Sequence, residues 1–127
     1  MSYDWTEFNS VARGLLQNLG SIFPQEGGNR SAISRSYYAA FCSARTWLRS
    51  KNIAEVEIER KGIHERVIET LRINGAEQIA VDLRKLKDHR ILADYRDNMP
   101  SNYNLSNNSS LCFFLSKKLI NDIGKLS

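Results

Sequence analysis

The amino-acid sequence predicts an all-α fold, a single-domain antiparallel bundle of about five helices that spans residues 1–127. Through most of the chain, apolar residues recur every three or four positions, as on one face of an α-helix. Glycine, asparagine and proline interrupt this pattern at intervals, where they end helices or form loops. With 42% hydrophobic and 25% charged residues, the composition is that of a globular domain with one buried core.

The first part of the chain contains two predicted helices. Helix one is predicted over residues 4–19, with Gly20 as its C-terminal stop. The segment SIFPQEGGN (21–29) is predicted to be a loop because of its proline and two glycines, and its last residue, Asn29, is predicted to cap the next helix. Helix two is predicted over residues 30–49. Its core-facing side is formed by Ile33, Tyr37, Ala40, Phe41, Ala44 and Leu48.

Three further helices are predicted in the second part of the chain. Residues 53–62 alternate apolar and acidic side chains but have no partner strand, so they are predicted to form an extended connector. Helix three is predicted over residues 63–73 and helix four over residues 76–99, before a proline. Residues 100–110 are predicted to be a loop, with helix five beginning at about Ser109. Its inward residues are predicted to be Leu111, Phe114, Leu115, Leu119 and Ile123, with Phe113 and Ile120 alongside.

Several functional classes are disfavoured by the sequence. No apolar run approaches the roughly 20 residues that cross a bilayer, so no membrane association is expected. The first residues lack the pattern of a secretory signal, which makes a cytoplasmic location the expectation. Cys42 and Cys112 are predicted to be buried thiols, since they form no Cys-x-x-Cys pair. No metal ligation or cofactor motif is present, and neither a metal ion nor a cofactor is expected.

Positive charge is concentrated in one segment. The whole chain carries a net charge of +4, and residues 28–51 contain five basic residues and no acidic one. These five residues are Arg30, Arg35, Arg45, Arg49 and Lys51. Such a segment can attract a phosphate backbone, and the alternative is an ordinary solvated helix face. Charge alone leaves both interpretations open.

Three motifs resemble those of HEPN domains (higher eukaryotes and prokaryotes nucleotide-binding), especially the small bacterial and archaeal type associated with nucleotidyltransferases. They are RSAISRSYYAAF (30–41), GIHERVIETL (62–71) and LRKLKDHRILADYRDN (83–98). The resemblance covers residues 29–98 in the family's order. It implies a helical bundle that forms a homodimer and, in active relatives, cleaves RNA without a metal ion at an arginine followed by four to six residues and a histidine.

The resemblance leaves two placements for the family arginine. Arg84 and His89 satisfy the spacing literally, but they lie about 140° apart on a straight helix. Alignment on the Ala-Asp-Tyr sequence instead places Arg90 at the family arginine, with Asp94 and Tyr95 near the position of the histidine. That second placement implies a degenerate site, so both sets remain candidate catalytic residues.

Helix two adds candidates for binding RNA or nucleotide. Tyr38 is adjacent to the core residue Tyr37 and points about 100° away from it, toward a ligand or partner. Arg30 and Arg35 are candidates for phosphate binding, and helix-end carbonyls are their alternative partners. His64, at the start of helix three, is predicted to be structural.

The sequence supports three functional hypotheses of different classes. The first is a HEPN-type endoribonuclease, the toxin of a toxin–antitoxin or defence system whose antitoxin is a nucleotidyltransferase. In this reaction the ribose 2′-hydroxyl attacks the adjacent phosphate, a histidine moves protons and arginine stabilises the developing charge. The second hypothesis is a non-catalytic HEPN module that binds nucleotide or RNA. The third is a structural helical partner for another chain.

Overall fold

The longest helix of the protein contacts every other helix and organises the bundle. The computed structural model describes residues 3–126, in which five α-helices and no β-strand are found. The helices are α1 (Glu7–Gln17), α2 (Gln25–Ser50), α3 (Ile63–Ile73), α4 (Glu77–Tyr95) and α5 (Leu105–Gly124). Besides its contacts with α2, α4 packs against α3 and α5, and α1 packs against α5. The predicted all-α bundle of about five helices is confirmed.

The core lies where α2, α3, α4 and α5 meet. The predicted inner side of α2 is buried along its whole length, from Ile33 to Leu48. Fully buried side chains from α3 and α4 complete this cluster, among them Leu71, Leu83 and Leu86. Each such leucine contributes roughly 1.5–3 kcal/mol through the apolar area that it removes from water. Cys42 and Cys112 are buried free thiols, as predicted.

Helix α2 begins at Gln25, five residues before its predicted start, so the predicted loop over residues 21–29 is correct only for residues 21–24. Pro24 is the residue before the first turn, where its fixed φ is compatible with entry into the helix. Gly28 lies inside the helix, where the neighbouring Leu19 side chain leaves little room for a Cβ. Asn29 is therefore not a cap. Its buried side chain donates to the carbonyl of Gln25 at 2.9 Å and accepts from Ser109.

Helix α5 also begins earlier than predicted, and the predicted loop over residues 100–110 was too long. Asn104 is the N-cap, since its side-chain oxygen accepts from the backbone N–H of Asn107 at 2.9 Å. The predicted inward face is wrong at Leu111 and Phe114, which are 53% and 65% exposed. Small polar residues occupy the buried face instead: Ser116 donates to the carbonyl of Ser36 on α2 at 2.7 Å.

The other boundaries differ by a few residues or agree. Helix α1 spans Glu7–Gln17 rather than 4–19, and the chain then turns through Gly20 at φ +75°. Helix α4 ends at Tyr95 rather than near Pro100, because Arg96 adopts an extended conformation. Helix α3 has the predicted bounds, and the segment 53–62 is the predicted connector without regular structure. None of the helices in residues 3–126 is long and apolar enough to cross a membrane.

The buried contact between Ser109 and Asn29 provides a test of how α5 docks on α2. Replacing Ser109 by alanine leaves the Asn29 side-chain oxygen without its donor and is expected to lower the free energy of unfolding by about 1–3 kcal/mol. The matched control is Ser110→Ala, at an exposed position of the same helix, which is expected to change it by less than about 0.5 kcal/mol. Urea unfolding followed by circular dichroism measures both. Equal stabilities of the two variants would contradict this docking.

Candidate functional site

A buried arginine on α4 is the centre of the candidate site. The Arg90 side chain is 8% exposed, and aromatic rings surround its guanidinium group. Its Cζ lies 5.2 Å from the ring centroid of Tyr37, 5.5 Å from that of Tyr38 and 5.7 Å from that of Tyr95. At these distances each ring attracts the cation through its quadrupole. Helices α2 and α4 thus form an aromatic enclosure around one positive charge.

The polar contacts of Arg90 are few and long. Its Nη1 donates to the Tyr38 hydroxyl at 3.4 Å and lies 3.7 Å from Asp94 Oδ2. Its Nε is buried and has no hydrogen-bond partner among residues 3–126. A buried charge normally has close partners, because removing it from water costs several kcal/mol. Arg90 therefore has one buried donor, Nε, that no described residue satisfies.

A cleft of about 320 Å³ adjoins this cluster between the start of α2 and the end of α4. It is lined by Gly27, Arg30, Ser31, Ser34, Arg35, Ala93 and Asp94. Asp94 connects the cleft to the buried arginine, since its Oδ2 accepts from Ser34 Oγ at 3.3 Å and lies near Arg90. The candidate catalytic residue Asp94 and the candidate binding residues Arg30 and Arg35 thus share one cleft.

Arg30 holds the C-terminal end of α4. Its Nη1 donates to the carbonyls of Ala93 at 3.2 Å and Arg96 at 2.6 Å, and its Nη2 donates to that of Asp97 at 3.3 Å. Its Nε donates to Glu26 at 3.1 Å. The alternative partners proposed from the sequence, helix-end carbonyls, are the ones that Arg30 has. By satisfying these carbonyls, Arg30 positions the last turn of α4, on which Asp94 and Tyr95 lie.

Arg35 has a different environment. Its guanidinium carbon lies 5.0 Å above the ring of Phe8 on α1, and it forms no ion pair within the described residues. Stacking on an aromatic face leaves the edge of the guanidinium fork free to donate hydrogen bonds. Arg35 is therefore the cation of the cleft whose donors are most available to a ligand.

His64, predicted to be structural, lies beside the aromatic enclosure. Its Nδ1 is 2.5 Å from the Tyr37 hydroxyl, and its ring lies 6.1 Å from that of Tyr38. Burial lowers the pKa of His64, and the charges of Arg90, Lys87 and Arg45 lower it further, against an opposing effect of Glu65. The imidazole is therefore neutral at pH 7.

The tautomer of His64 follows from its partner. Burial strongly raises the pKa of Tyr37, so this phenol stays protonated, and Nδ1 is its hydrogen-bond partner. The Tyr37 hydroxyl is fully buried, and its proton would lose a hydrogen bond if it had no acceptor. Tyr37 is therefore assigned as the donor and His64 Nδ1 as the acceptor. The imidazole proton then lies on Nε2, and neutral His64 presents a donor rather than a basic nitrogen.

Arg84 occupies a separate ion-pair cluster. Its Nη1 and Nη2 donate to Glu65 at 3.1 and 2.5 Å, and Lys87 binds the same carboxylate. The hydrogen bonds from Arg84, together with the one from Lys87, lower the pKa of Glu65 to about 2, although partial burial opposes this shift. Arg84 also lines a groove of about 470 Å³ between α3 and α4, lined in addition by Val81 and Ile68.

His89 belongs to a third environment. Its Nδ1 lies 2.7 Å from the hydroxyl of Tyr103, in the loop that precedes α5. Burial lowers the pKa of His89 against an opposing effect of Asp88. On α4, Arg84 and His89 lie about 120° and 100° around the helix axis from Arg90. Within one chain, the literal Arg84–His89 motif is therefore divided between two neighbourhoods.

The structure brings together the residues of only one of the two placements that the sequence left open. Arg90, Asp94, Tyr95 and Tyr38 form one cluster, with Arg30 and Arg35 in the adjoining cleft. Ser34 was not predicted as a site residue, and Tyr37 and His64 were predicted only as structural residues. For Tyr37 and His64, a signal was present in the sequence: the Tyr37-Tyr38 pair occurs together with the Gly62-Ile63-His64 motif. Within residues 3–126, no three histidine, cysteine, aspartate or glutamate side chains form a metal-binding group.

Comparisons with known proteins identify no relative. Scans against protein-family models, curated proteins and solved structures each found no significant match.

The Glu65 ion pairs predict a dependence of stability on pH. Because the folded-state pKa of Glu65 is about 2, below its unfolded value near 4.5, its contribution is present above pH 4.5 and is lost as pH falls toward 2. Glu65→Gln is expected to lower the free energy of unfolding at pH 7 by about 1 kcal/mol, a small value because solvent screens the partly exposed Arg84. Near pH 2 the substitution is expected to leave the free energy of unfolding almost unchanged.

The matched control is Glu59→Gln, whose side chain is 91% exposed and which is expected to behave as the wild type at every pH. Urea unfolding midpoints between pH 2 and pH 7 provide the measurement. A constant difference between wild type and Glu65→Gln across this range would contradict the linkage.

Proposed function

We propose that the protein binds RNA and that the Arg90 cluster holds one of its phosphates. The observation that carries this proposal is the buried guanidinium of Arg90, whose Nε lacks a partner and whose nearest carboxylate is 3.7 Å away. Arginine presents five donors in a planar fork that matches phosphate oxygens. A phosphate oxygen would supply the acceptor that the surrounding protein does not.

Charges around the cleft favour an anion. Arg30, Arg35 and Arg90 contribute three positive charges within or beside it, against two negative charges, those of Asp94 and of Glu26, which pairs with Arg30. Asp94 already accepts from Ser34 and approaches Arg90, which partly neutralises its carboxylate. A positive cleft with low-dielectric walls concentrates anions at its mouth.

Aromatic groups beside the cleft favour a nucleic acid over a free phosphate ion. Tyr95 is 70% exposed and lies against the Arg90 guanidinium, and Tyr38 is half-buried on the opposite helix. Exposed aromatic rings next to arginines are typical of single-strand binding, in which bases stack on the rings and cations contact the backbone. The resemblance to HEPN domains supports RNA in particular.

The tautomer of His64 favours binding over catalysis by this residue. With its proton on Nε2 and a lowered pKa, neutral His64 can donate to a phosphate oxygen but cannot accept a proton at that nitrogen. A general base would have to be another group.

RNA cleavage at this cluster is the second candidate function, favoured by the position of Asp94. Its carboxylate lies at the cleft, 3.7 Å from Arg90 Nη1. In this reaction Asp94 takes the proton of a ribose 2′-hydroxyl, whose oxygen forms a bond to phosphorus as the bond to the 5′-oxygen breaks. Tyr38 gives a proton to the leaving 5′-oxygen, and Arg90 stabilises the phosphorane charge. The products are a 2′,3′-cyclic phosphate and a 5′-hydroxyl end.

Assembly and biological setting are proposed from the resemblance alone. A homodimer would bring two such clusters to one RNA strand, and cleavage would make the protein the toxin of a toxin–antitoxin or defence system. Its antitoxin would be a nucleotidyltransferase. These proposals share one consequence, that activity depends on the Arg90 cluster of each copy.

RNA binding is tested with a fluorescently labelled single-stranded RNA pool and fluorescence anisotropy. Arg90→Lys keeps the charge but removes the guanidinium fork, and it is expected to weaken binding about tenfold. Arg35→Gln, which removes the most available cation of the cleft, is expected to weaken binding by a similar factor. The matched control is Arg60→Gln, whose side chain is 91% exposed on the connector, with wild-type affinity expected. Absence of binding by the folded wild type would contradict the proposal.

Cleavage is tested by incubating the protein with end-labelled RNA in the presence of EDTA. If the second candidate is correct, Asp94→Asn and Tyr38→Phe each lower the rate at least a hundredfold while RNA affinity changes less than threefold. The control His89→Ala, at a residue bound to Tyr103, leaves the rate unchanged. Binding without cleavage by the wild type excludes the catalytic candidate and leaves the binding proposal intact.

A further inference from the structure

A row of positive charge continues along α2 beyond the Arg90 cluster. Starting from Tyr38, Arg45 and Arg49 lie seven and eleven positions further along the helix, within about 20° of the same direction around its axis. At 1.5 Å per residue, the row from Tyr38 to Arg49 extends about 16 Å along the helix. Neither arginine belongs to the cleft that contains Arg35 and Asp94.

Aromatic rings connect the Arg90 cluster to Arg45. The His64 ring contacts the ring of Tyr37, over which Arg90 lies, and the ring of Phe41, over which Arg45 lies, with centroid distances of 5.6 and 4.5 Å. Burial raises the pKa of the Cys42 thiol, and Arg45 and Arg49 both oppose this effect. These ring contacts, and the position of Arg49 one turn beyond Arg45 on α2, give the order Arg90, His64, Arg45 and Arg49.

Arg45 resembles Arg90 in having unused donors. Its guanidinium carbon lies 5.4 Å from the centroid of the Phe41 ring, and its Nη2 makes only a long contact of 4.0 Å with Cys42 Sγ. Its Nε is buried without a partner, and no carboxylate of the described residues forms an ion pair with it. Arg45 and Arg90 thus each lie over an aromatic ring that contacts His64, and each has a buried Nε without a hydrogen-bond partner.

Arg49 provides an exposed end to the path. Its side chain is 61% exposed, and its nearest carboxylate, Glu55 Oε1, lies at 3.9 Å. The neighbouring connector acid Glu57 is paired with Arg66 at 2.9 Å, and Glu65 is held by Arg84 and Lys87. The acidic groups near the path are therefore occupied by other cations or lie at the limit of an ion pair.

We infer that single-stranded RNA lies along α2, with one phosphate at the Arg90 cluster and further phosphates of the same strand on Arg45 and Arg49. This inference rests on the proposed function and assigns the direction of the bound strand. Free mononucleotides would reach only the Arg90 cluster. Strands of several nucleotides would also reach Arg45 and Arg49, so affinity would rise with strand length along this path.

The test compares a mononucleotide and a single strand of about ten nucleotides, each labelled, with wild type and Arg45→Gln/Arg49→Gln. For the longer strand, the double variant is expected to bind about tenfold more weakly. Its slope of log affinity against log salt concentration is expected to fall by about 1.4, since each phosphate contact to a single strand contributes roughly 0.7. For the mononucleotide, both proteins are expected to bind alike.

A double variant with two arginines removed elsewhere, Arg13→Gln/Arg60→Gln, controls for net charge and is expected to keep the wild-type slope with the longer strand. Circular dichroism shows whether the change at half-buried Arg45 disturbs folding. If it does, the single variant Arg49→Gln, at the exposed end of the path, replaces the double variant in the test. An unchanged slope for Arg49→Gln and for the folded double variant, with normal binding by the wild type, would overturn the inference and leave the proposed function standing. Failure of the wild type to bind either ligand would overturn both.

Discussion

The burial of one positive charge between α2 and α4 is the constraint on which the candidate site depends. Removing the Arg90 guanidinium from water costs several kcal/mol, and its contacts with Asp94 and the Tyr38 hydroxyl are too long to offset this cost fully. The three surrounding rings each contribute roughly 0.5–2 kcal/mol, because they present electron-rich faces to the cation. The site is therefore stable without a ligand but retains an unpaired donor at Arg90 Nε.

This constraint connects the site to the packing of the bundle. Tyr37 belongs to the hydrophobic core and also contacts both the Arg90 guanidinium and His64, so that helices α2, α3 and α4 meet at one residue. Arg30 adds a second connection, since it binds the carbonyls at the end of α4 and thereby orients Asp94. A change in the docking of α4 on α2 would displace the aromatic rings, the carboxylate and the guanidinium together.

Some features of the fold were predictable from sequence, and others depended on contacts between distant residues. Helix α3 was correct to the residue because apolar spacing and Asn74-Gly75 define both of its ends. The starts of α2 and α5 were misplaced because buried hydrogen bonds of Asn29 and Ser109 stabilise polar segments as helix. Similarly, alignment on the Ala-Asp-Tyr sequence could suggest Arg90, but not that Tyr38, 52 positions earlier, would contact it. The division of Arg84 from His89 followed from helical geometry alone, whereas their partners Glu65 and Tyr103 required the structure.

The most direct test of the central claim is an NMR titration of the arginine Nε–H signals. Arg90 Nε is buried and unpaired in the free protein, so its proton signal should move strongly when a short single-stranded RNA supplies a phosphate acceptor. The signal of exposed Arg13 should remain in place. The account predicts a saturable shift of the Arg90 signal that follows the same binding curve as RNA anisotropy. An unchanged Arg90 signal at saturating RNA would show that the RNA binds elsewhere and would contradict the account.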